Sequence, residues 1–266
     1  MAMLHSANIS IMIKAARKAS TKLKRDYGEI EQLQVSRKGP ADFVTAADIR
    51  TEKTLRETLS HARPEYGFLM EEGGEISGKD PARRWIIDPI DGTTNFIHGI
   101  PYFAISIALQ EDDQITAGVI YEPINDQMFW AEKGNGAWLN DRRMRVSGRT
   151  NMEQSIFATG IPFLGRGDHK NFLKQIEAVM AVSAGIRRFG SAALDLAYVA
   201  AGRFDGFWEN GLQPWDIAAG IIIVREAGGM ISEINGRDGM LKTGSILASN
   251  PNLHKALGQI IINKVE

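Results

Sequence analysis

The sequence predicts an α/β fold of two lobes, an α+β lobe over about residues 1–147 and an α/β lobe over about residues 148–266. Three observations predict it: helical segments near the N-terminus, closely spaced strand-like segments up to residue 140, and alternating strand-like and helix-like segments after residue 154. The 266 residues, 44% of them hydrophobic and 24% charged, are enough to build one large domain with a normal core.

Two helices are predicted in the first part of the chain. Apolar residues over 6–26 are interleaved with basic ones at helical spacing, which is typical of an amphipathic helix. Gly39-Pro40 marks a loop, after which Thr45 or Asp48 caps a second helix that runs through Leu59.

Strands dominate the rest of the first lobe. Two short apolar runs that end in acids are expected to be buried strands, "GFLMEE" and "RRWIID". Three further segments predict a meander of antiparallel strands, "YFAISIALQ", "ITAGVIYEP" and "QMFWAEKGNGAWLN".

The pattern changes near Ser147 to Gln154. Strand-like segments, "SIFATG", "GIRRFGS" and "FDGFWEN", then alternate with helices over 168–182 and 191–201 and with "PWDIAAGIIIVREAGG". No Pro- or Ser-rich linker separates the lobes, so we expect them to share an interface.

Composition excludes several classes of protein. A formal net charge of -1, from 31 basic and 32 acidic side chains, gives no electrostatic footprint for nucleic acid or an anionic membrane. Without cysteine the chain has no disulfide, zinc–thiolate site or thiol nucleophile, and we expect a cytoplasmic protein. The N-terminus lacks the order of a signal peptide, and the apolar runs are too short to span a bilayer.

Acidic residues end four apolar segments of the chain. They are Asp48, Glu71 with Glu72, Asp88 with Asp91, and Asp216. Asp88 follows "WII" directly and Asp91 follows "PI", where a carboxylate is costly unless it is paired or bound to a metal. Hard divalent cations prefer oxygen ligands, so this pair predicts a Mg²⁺ site whose ions activate water for an in-line displacement.

The other acids each have a structural explanation when taken alone. Asp48 suits a helix cap, Asp216 complements a helix dipole, and Glu71-Glu72 suits a solvated turn. A nucleophilic aspartate of the Asp-x-Asp-x-Thr type is disfavoured because the acids of "DPIDGT" are three residues apart, not two. A helix that starts at "TTNFIHG" leaves amides near Gly92 and Thr93 for a phosphate group.

Two signatures, "WIIDPIDGTTNF" and "WDIAAGIIIVREAGG", resemble those of the lithium-sensitive, magnesium-dependent inositol monophosphatases. "FLMEE" and "GSAALDLAYVAAGRFDGFWENGLQPWD" also resemble family segments, especially those of the bacterial branch, and the resemblance covers nearly the whole chain. It implies a single catalytic domain with a layered αβαβα sandwich of the inositol monophosphatase and fructose-1,6-bisphosphatase type. It also implies inhibition by Li⁺ and a homodimer with residues of the second lobe near the interface. The segment "GIRRFG" alone suggests Arg187 and Arg188 as candidate interface residues.

The resemblance further implies a set of two to three Mg²⁺ ions. The first ion is expected on Glu71, Asp88 and the carbonyl of Ile90, and the second on Asp88, Asp91 and Asp216. Glu71 is expected to reach a weaker third ion through water, near the loop that contains Lys38.

The resemblance assigns the substrate-side residues as well. Thr93, bonded to Asp48, is expected to orient the attacking water, which makes them catalytic residues together with Glu71 and Asp91. The residues expected to bind the substrate are Asp91, Gly92, Thr93, Gly190, Ser191, Ala192, Glu209 and Asp216. Two residues depart from the family pattern. One is the methionine that precedes Glu71-Glu72, and the other is Ser191, which stands where a threonine is common. Neither is an expected metal ligand.

The function expected from this resemblance is hydrolysis of a phosphomonoester by metal-activated water, with inositol 1-phosphate or a related polyol or sugar phosphate as the small-molecule substrate. Fructose-1,6-bisphosphate and nucleotide 3′-phosphates are the nearest alternatives. Asp91 and a metal-bound water are both open as the proton donor to the leaving oxygen. A regulatory partner of RNA or protein, with catalysis secondary, is the alternative of a different class.

Overall fold

A computed structural model describes residues 5–29, 35–39, 42–165 and 167–263. In these ranges the helices are α1 Ala7–Gly28, α2 Ala46–Ala62, α3 Thr93–Ile97, α4 His169–Met180, α5 Ala192–Ala200, α6 Pro214–Glu226, α7 Met240–Thr243 and α8 His254–Asn263. The helices predicted from 6–26, from Thr45 or Asp48, from 168–182 and from 191–201 are therefore confirmed within a few residues at each end.

The strands of the first half are β1 Val35–Gly39, β2 Asp42–Thr45, β3 Tyr66–Met70, β4 Gly74–Ile76, β5 Asp80–Asp91, β6 Ala104–Glu111, β7 Gln114–Glu122, β8 Gln127–Glu132, β9 Ala137–Leu139 and β10 Arg142–Met144. Those of the second half are β11 Ile156–Thr159, β12 Gly185–Arg187, β13 Gly206–Glu209, β14 Met230–Ser232 and β15 Ile246–Ser249. Gly39, expected in a loop, is the last residue of β1, which pairs antiparallel with β2, and Pro40 lies outside the described residues.

Two larger sheets organise the molecule. The eight-stranded sheet has the order β10-β9-β8-β7-β6-β5-β3-β4, and the five-stranded sheet has the order β12-β11-β13-β15-β14. The predicted meander is confirmed, since β5 to β9 follow one another as antiparallel neighbours. The eight-stranded sheet ends at residue 144 and the five-stranded sheet begins at residue 156. The lobe boundary predicted at 147/148 lies between these two residues.

The central strands of the larger sheet are buried on both faces, which explains why they are continuous apolar runs. On β5, Trp85 and Ile87 pack in the core shared with α1 and α2, whereas Ile86 packs in the core shared with α5 and α6. Successive residues of a strand point to opposite faces, so this alternation follows directly from the pleat.

Helices α5 and α6 lie between the two sheets, because their apolar residues share one core with both. Helix α6 is buried from Ile217 to Val224, which is expected of a helix covered on both sides. A further core, shared by α4, α8 and the five-stranded sheet, covers the outer face of that sheet. The layers therefore follow the order αβαβα, and the expected α/β layered fold is confirmed.

Small residues allow α6 to lie close to the larger sheet. A side chain added at Gly118 on β7 would come within 2.7 Å of the Ile222 methyl group and 2.8 Å of the Ala219 carbonyl oxygen. This close approach holds α6 against the larger sheet. Among the described residues, no helix is long and apolar enough to cross a membrane.

Candidate active site

Asp88 and Asp91 stand at the C-terminal end of β5, where the strand carries a β-bulge. Asp88 lies opposite Ser106 of β6 and Asp91 lies opposite Ala104, so three steps on β5 match two on β6. Residues three apart in a regular strand point to opposite faces, and the bulge removes that difference. Pro89 lies within the bulge, where its missing N–H costs no ladder bond.

Asp216 reaches these two residues from the first turn of α6. The Ser106 hydroxyl donates to the carbonyl oxygen of Trp215 at 3.3 Å, which ties the start of α6 to the strand beside Asp88. The Gln213 N–H donates to Asp216 Oδ2 at 2.7 Å, so Asp216 closes a capping box on its own helix. One carboxylate oxygen each from Asp88, Asp91 and Asp216 lies within 4.8 Å of the others.

Burial and mutual repulsion raise the pKa values of this carboxylate cluster. The pKa of Asp88, which is 2% exposed, is raised well above its usual value by desolvation and then by the charges of Glu71, Asp91, Asp216 and Asp48. Desolvation also raises the pKa of Asp91 to about 6, although hydrogen bonds from Ser191 and Ala193 oppose the shift. A divalent cation is the natural counter-charge for such a group.

Glu71 faces the same cluster from the end of β3. Its amide donates to the carbonyl oxygen of Ile87 at 3.3 Å, which continues the pairing of β3 with β5 by one residue. Its charge raises the pKa of both Asp88 and Asp91. The Glu71 charge therefore acts on two of the three aspartates, whereas the oxygens that lie within 4.8 Å of one another are those of Asp88, Asp91 and Asp216.

Asp48 caps a helix and also faces Thr93. Thr45 donates to Asp48 Oδ2 through its amide at 2.8 Å and its hydroxyl at 2.6 Å, while the other oxygen, Oδ1, lies 3.2 Å from the Thr93 hydroxyl. The Thr93 hydroxyl is also 3.0 Å from the carbonyl oxygen of Ile90. Asp48 is fully buried and its pKa is raised, first by desolvation.

The turn between β5 and α3 brings backbone amides close to the aspartates. Gly92 has φ 97° in the left-handed region, and an added side chain would meet the Tyr102 carbonyl oxygen at 3.0 Å and the Gly190 carbonyl oxygen at 3.3 Å. Gly190 and Ser191 lie just before α5, and Ser191 caps that helix. The Ser191 hydroxyl donates to Asp91 Oδ2 at 2.5 Å, and the Ala193 amide donates to the same oxygen at 2.7 Å.

A protein-family sequence model described as "Inositol monophosphatase family" matches residues 6–266 of the chain. The chain belongs to the inositol monophosphatase family. The inositol-1-monophosphatase of Mesorhizobium japonicum is 55% identical to it over 255 residues, 96% of either chain. The Nus factor SuhB of Escherichia coli (strain K12) is 42% identical over 249 residues, 94% of this chain and 93% of the relative.

A crystal structure of the extragenic suppressor protein suhB from Bartonella henselae has the same fold. Its TM-score to this chain is 0.95 at 54% identity, and the match covers 97% of this chain and 99% of that one. With relatives of 53–55% identity named inositol-1-monophosphatase, the chain is a phosphatase. Metal-dependent phosphate chemistry, which is that of the inositol monophosphatase family, agrees with the acidic cluster.

Glu209 lies at the wall of a cavity of about 290 Å³ that is formed at the ends of β11 and β13. Its carboxylate lies directly against Gly160, where an added side-chain carbon would overlap it. Trp208 and Gln175 close the far side, joined by a bond of 3.3 Å from the indole N–H. Glu209, the substrate residue predicted on the second lobe, therefore lines a defined cavity, and none of the other predicted site residues, all within the described ranges, lines it.

Sequence reasoning missed several residues that hold the site together. The Asn95 side-chain amide donates to the carbonyl oxygens of Tyr102 and Phe189, both at 2.7 Å, and so braces the two lobes beside Gly92. Asp195, 1% exposed, accepts a bond of 2.8 Å from the Tyr102 hydroxyl. The contacts of Asn95 with Phe189 and of Tyr102 with Asp195 join residues more than 90 positions apart, so no local pattern indicates them.

Two remaining predictions involve the periphery of the site. The side chain of Lys38 lies outside the described residues. Arg187 and Arg188 are exposed, as residues of an interface are when the chain is isolated. The expected homodimer stays a prediction.

Proposed function

We propose that this phosphatase is magnesium-dependent and that inositol 1-phosphate is its preferred substrate. The observation that supports the proposal best is the convergence of Asp88, Asp91 and Asp216, whose oxygens lie within 4.8 Å of one another. The oxygen-only donor set and the acidic neighbourhood fit a hard divalent cation. The name shared by relatives of 53–55% identity supports the substrate.

The residues proposed to hold the ions are those that the sequence resemblance assigns. Glu71, Asp88 and the carbonyl of Ile90 would hold the first, and Asp88, Asp91 and Asp216 the second, with a third ion near Glu71. When bound, Mg²⁺ supplies Lewis-acid activation of water and neutralises charge on the phosphate and the leaving oxygen.

The chain's own residues orient the reactants. The Thr93 hydroxyl, between Asp48 Oδ1 at 3.2 Å and the Ile90 carbonyl at 3.0 Å, is held where it accepts a hydrogen bond from an attacking water. The amides of Gly92 and Thr93 bind phosphate oxygens in this proposal. Asp91 and Glu209 face the hydroxyl groups of the leaving alcohol from opposite lobes.

A phosphate-release panel tests the proposal. The purified protein is assayed with inositol 1-phosphate, fructose-1,6-bisphosphate and 3′-phosphoadenosine 5′-phosphate, each with Mg²⁺, with Mg²⁺ plus Li⁺, and with a chelator. We expect the highest kcat/KM for inositol 1-phosphate, inhibition by Li⁺ and no turnover in chelator. Full activity in chelator would refute the metal requirement, and a strong preference for either other substrate would refute the substrate assignment.

The finer properties implied by the resemblance complete the proposal. We propose a cytoplasmic homodimer with residues of the second lobe, including Arg187 and Arg188, near the interface, and a single catalytic domain of two lobes. Size-exclusion chromatography with light scattering tests the assembly. A monomer at micromolar concentration would refute it.

A second candidate function is that of a regulatory partner of RNA or protein. The 42% identity to proteins named Nus factor SuhB favours it. Complementation of a deletion strain with the Asp88→Asn variant separates the two functions, because the variant keeps the surface and loses a central carboxylate. Full rescue would make catalysis the lesser role, and no rescue would favour catalysis.

A further inference from the structure

Glu52 is a buried acid beside the site to which no role has been assigned so far. It is 6% exposed and lies on α2 four residues after Asp48, so both acids share one face of the helix. Its Oε2 accepts a hydrogen bond of 2.8 Å from the amide of Glu72, the residue that directly follows Glu71. A carboxylate is rarely buried in a core without a specific partner.

The hydrogen bond between Glu52 and the Glu72 amide lies in the turn after β3, which carries the proposed metal ligand Glu71. The amide of Glu71 is bonded to Ile87 of β5 at 3.3 Å, and the next amide is bonded to Glu52. Two successive peptide groups are thus anchored, one to the sheet and one to α2. The Glu71 charge raises the pKa of Asp88 and Asp91, so it acts on the acidic cluster from this anchored turn.

Gly73 shows how closely Glu52 lies against the turn. A side-chain carbon at Gly73 would come within 2.9 Å of Glu52 Oε1 and 2.8 Å of the terminal methyl of Met70. Both atoms are ends of flexible side chains, so a methyl group there is expected to displace the carboxylate rather than to break the backbone. The chain therefore leaves room for Glu52 at this position.

We propose that Glu52 is a positioning residue that fixes the Glu71–Glu72 turn for cation binding, an inference that rests on the proposed metal-dependent function. Glu52 acts through the Glu72 amide and does not touch the ion. Groups that orient a metal ligand typically change metal affinity about 10–100-fold when removed. A glutamine keeps an oxygen acceptor for the amide, whereas an alanine removes it.

The test compares Glu52→Ala, Glu52→Gln and Gly73→Ala, with Glu57→Ala as a control on an exposed position of the same helix. Calorimetric titration of the chelator-treated proteins measures Mn²⁺ affinity, and kinetics measure the half-saturating Mg²⁺ concentration and kcat at saturating Mg²⁺. We expect Glu52→Ala and Gly73→Ala to weaken the affinity and raise the half-saturating concentration about tenfold or more. For both variants kcat at saturating Mg²⁺ should stay within about threefold of wild type, while Glu52→Gln and Glu57→Ala should bind like wild type.

Each failure has its own signature. Wild-type protein that binds no Mn²⁺ refutes the metal-dependent function and with it the role of Glu52. If wild type binds Mn²⁺ and Glu52→Ala binds it equally well, only the role of Glu52 is refuted. Equal loss in Glu52→Gln and Glu52→Ala also refutes positioning through the hydrogen bond. Gly73→Ala keeps the test available if Glu52→Ala does not fold.

Discussion

Replacing Asp88 with asparagine is expected to stabilise the metal-free protein and to abolish turnover. The oxygens of Asp88, Asp91 and Asp216 lie within 4.8 Å of one another, and two unit charges at that distance repel by about 3 kcal/mol at an effective dielectric constant near 20. Asparagine removes the charge of Asp88 and keeps the Oδ1 acceptor that bonds the Ile90 amide at 2.9 Å. The substitution therefore removes repulsion without creating a cavity.

The expected gain is smaller than the sum of the two repulsions, because a repelled carboxylate takes up a proton. We expect the free energy of unfolding to rise by about 2–4 kcal/mol at pH 7, with a rise in Tm on the order of 5–10 °C. The gain depends on pH. A carboxyl group whose pKa is raised in the folded protein, such as Asp91 with a pKa of about 6, contributes stability that is fully present at a pH below its unfolded pKa of 3.8. This stability is lost as the pH rises through the folded pKa. The Tm difference between Asp88→Asn and wild type should thus grow from pH 4 towards neutrality.

Cation binding should reverse the order of stability. A ligand at a hundred times its Kd stabilises a protein by about 2.7 kcal/mol, and wild type should gain this from Mg²⁺ while Asp88→Asn gains little. Thermal and urea unfolding in chelator and in Mg²⁺ measure both effects, and Asp113→Asn on the exposed β6–β7 turn is the matched control. Lower metal-free stability of Asp88→Asn, or equal stabilisation of both proteins by Mg²⁺, would refute the reasoning.

Three further substitutions test neighbouring contacts. Ser191→Ala removes a hydrogen bond that lowers the pKa of Asp91, so the acidic limb of the kcat/KM pH profile should move to higher pH; an unchanged limb would contradict this. Thr93→Val removes the hydroxyl that lies between the Asp48 carboxylate and the Ile90 carbonyl. It should lower kcat about 10²–10⁴-fold with a small change in KM, measured by steady-state kinetics. Gly160→Ala should displace Glu209 and raise KM for inositol 1-phosphate more than for p-nitrophenyl phosphate, and equal changes would argue against a role in binding the alcohol.

The elements that the sequence predicted best are those that can be recognised from neighbouring residues alone. The strands of the large sheet are apolar on both faces, so "WII" and "AISIAL" are recognisable without knowledge of their partners. Helix α2 is equally local, because Thr45 and the acid three residues later form a capping box. Strands β14 and β15 were not predicted; their length alone does not explain this, because β11, β12 and β13 are equally short and were predicted.

The geometry of the site depends on contacts that sequence does not reveal. The spacing of Asp88 and Asp91 predicts opposite faces of a strand, and only the bulge in the pairing with β6 brings them together. The sequence also does not decide between a helix cap and a catalytic role for Asp48, because both depend on contacts of its carboxylate. A carboxylate has two oxygens, and Asp48 uses one for the cap of α2 while the other faces Thr93.

The same division of labour recurs across the acidic cluster. In each of four aspartates one carboxylate oxygen accepts a backbone N–H, at 2.7–2.9 Å. The donors are Thr45 for Asp48, Ile90 for Asp88, Ala193 for Asp91 and Gln213 for Asp216. Backbone amides orient a carboxylate and favour its charged form, which opposes the effect of burial on its pKa. Local turns and helix caps thus fix the orientation of each of these acids, and the oxygens of Asp88, Asp91 and Asp216 stay within 4.8 Å of one another despite their repulsion. The cation proposed for this site would meet a geometry that the backbone has already set.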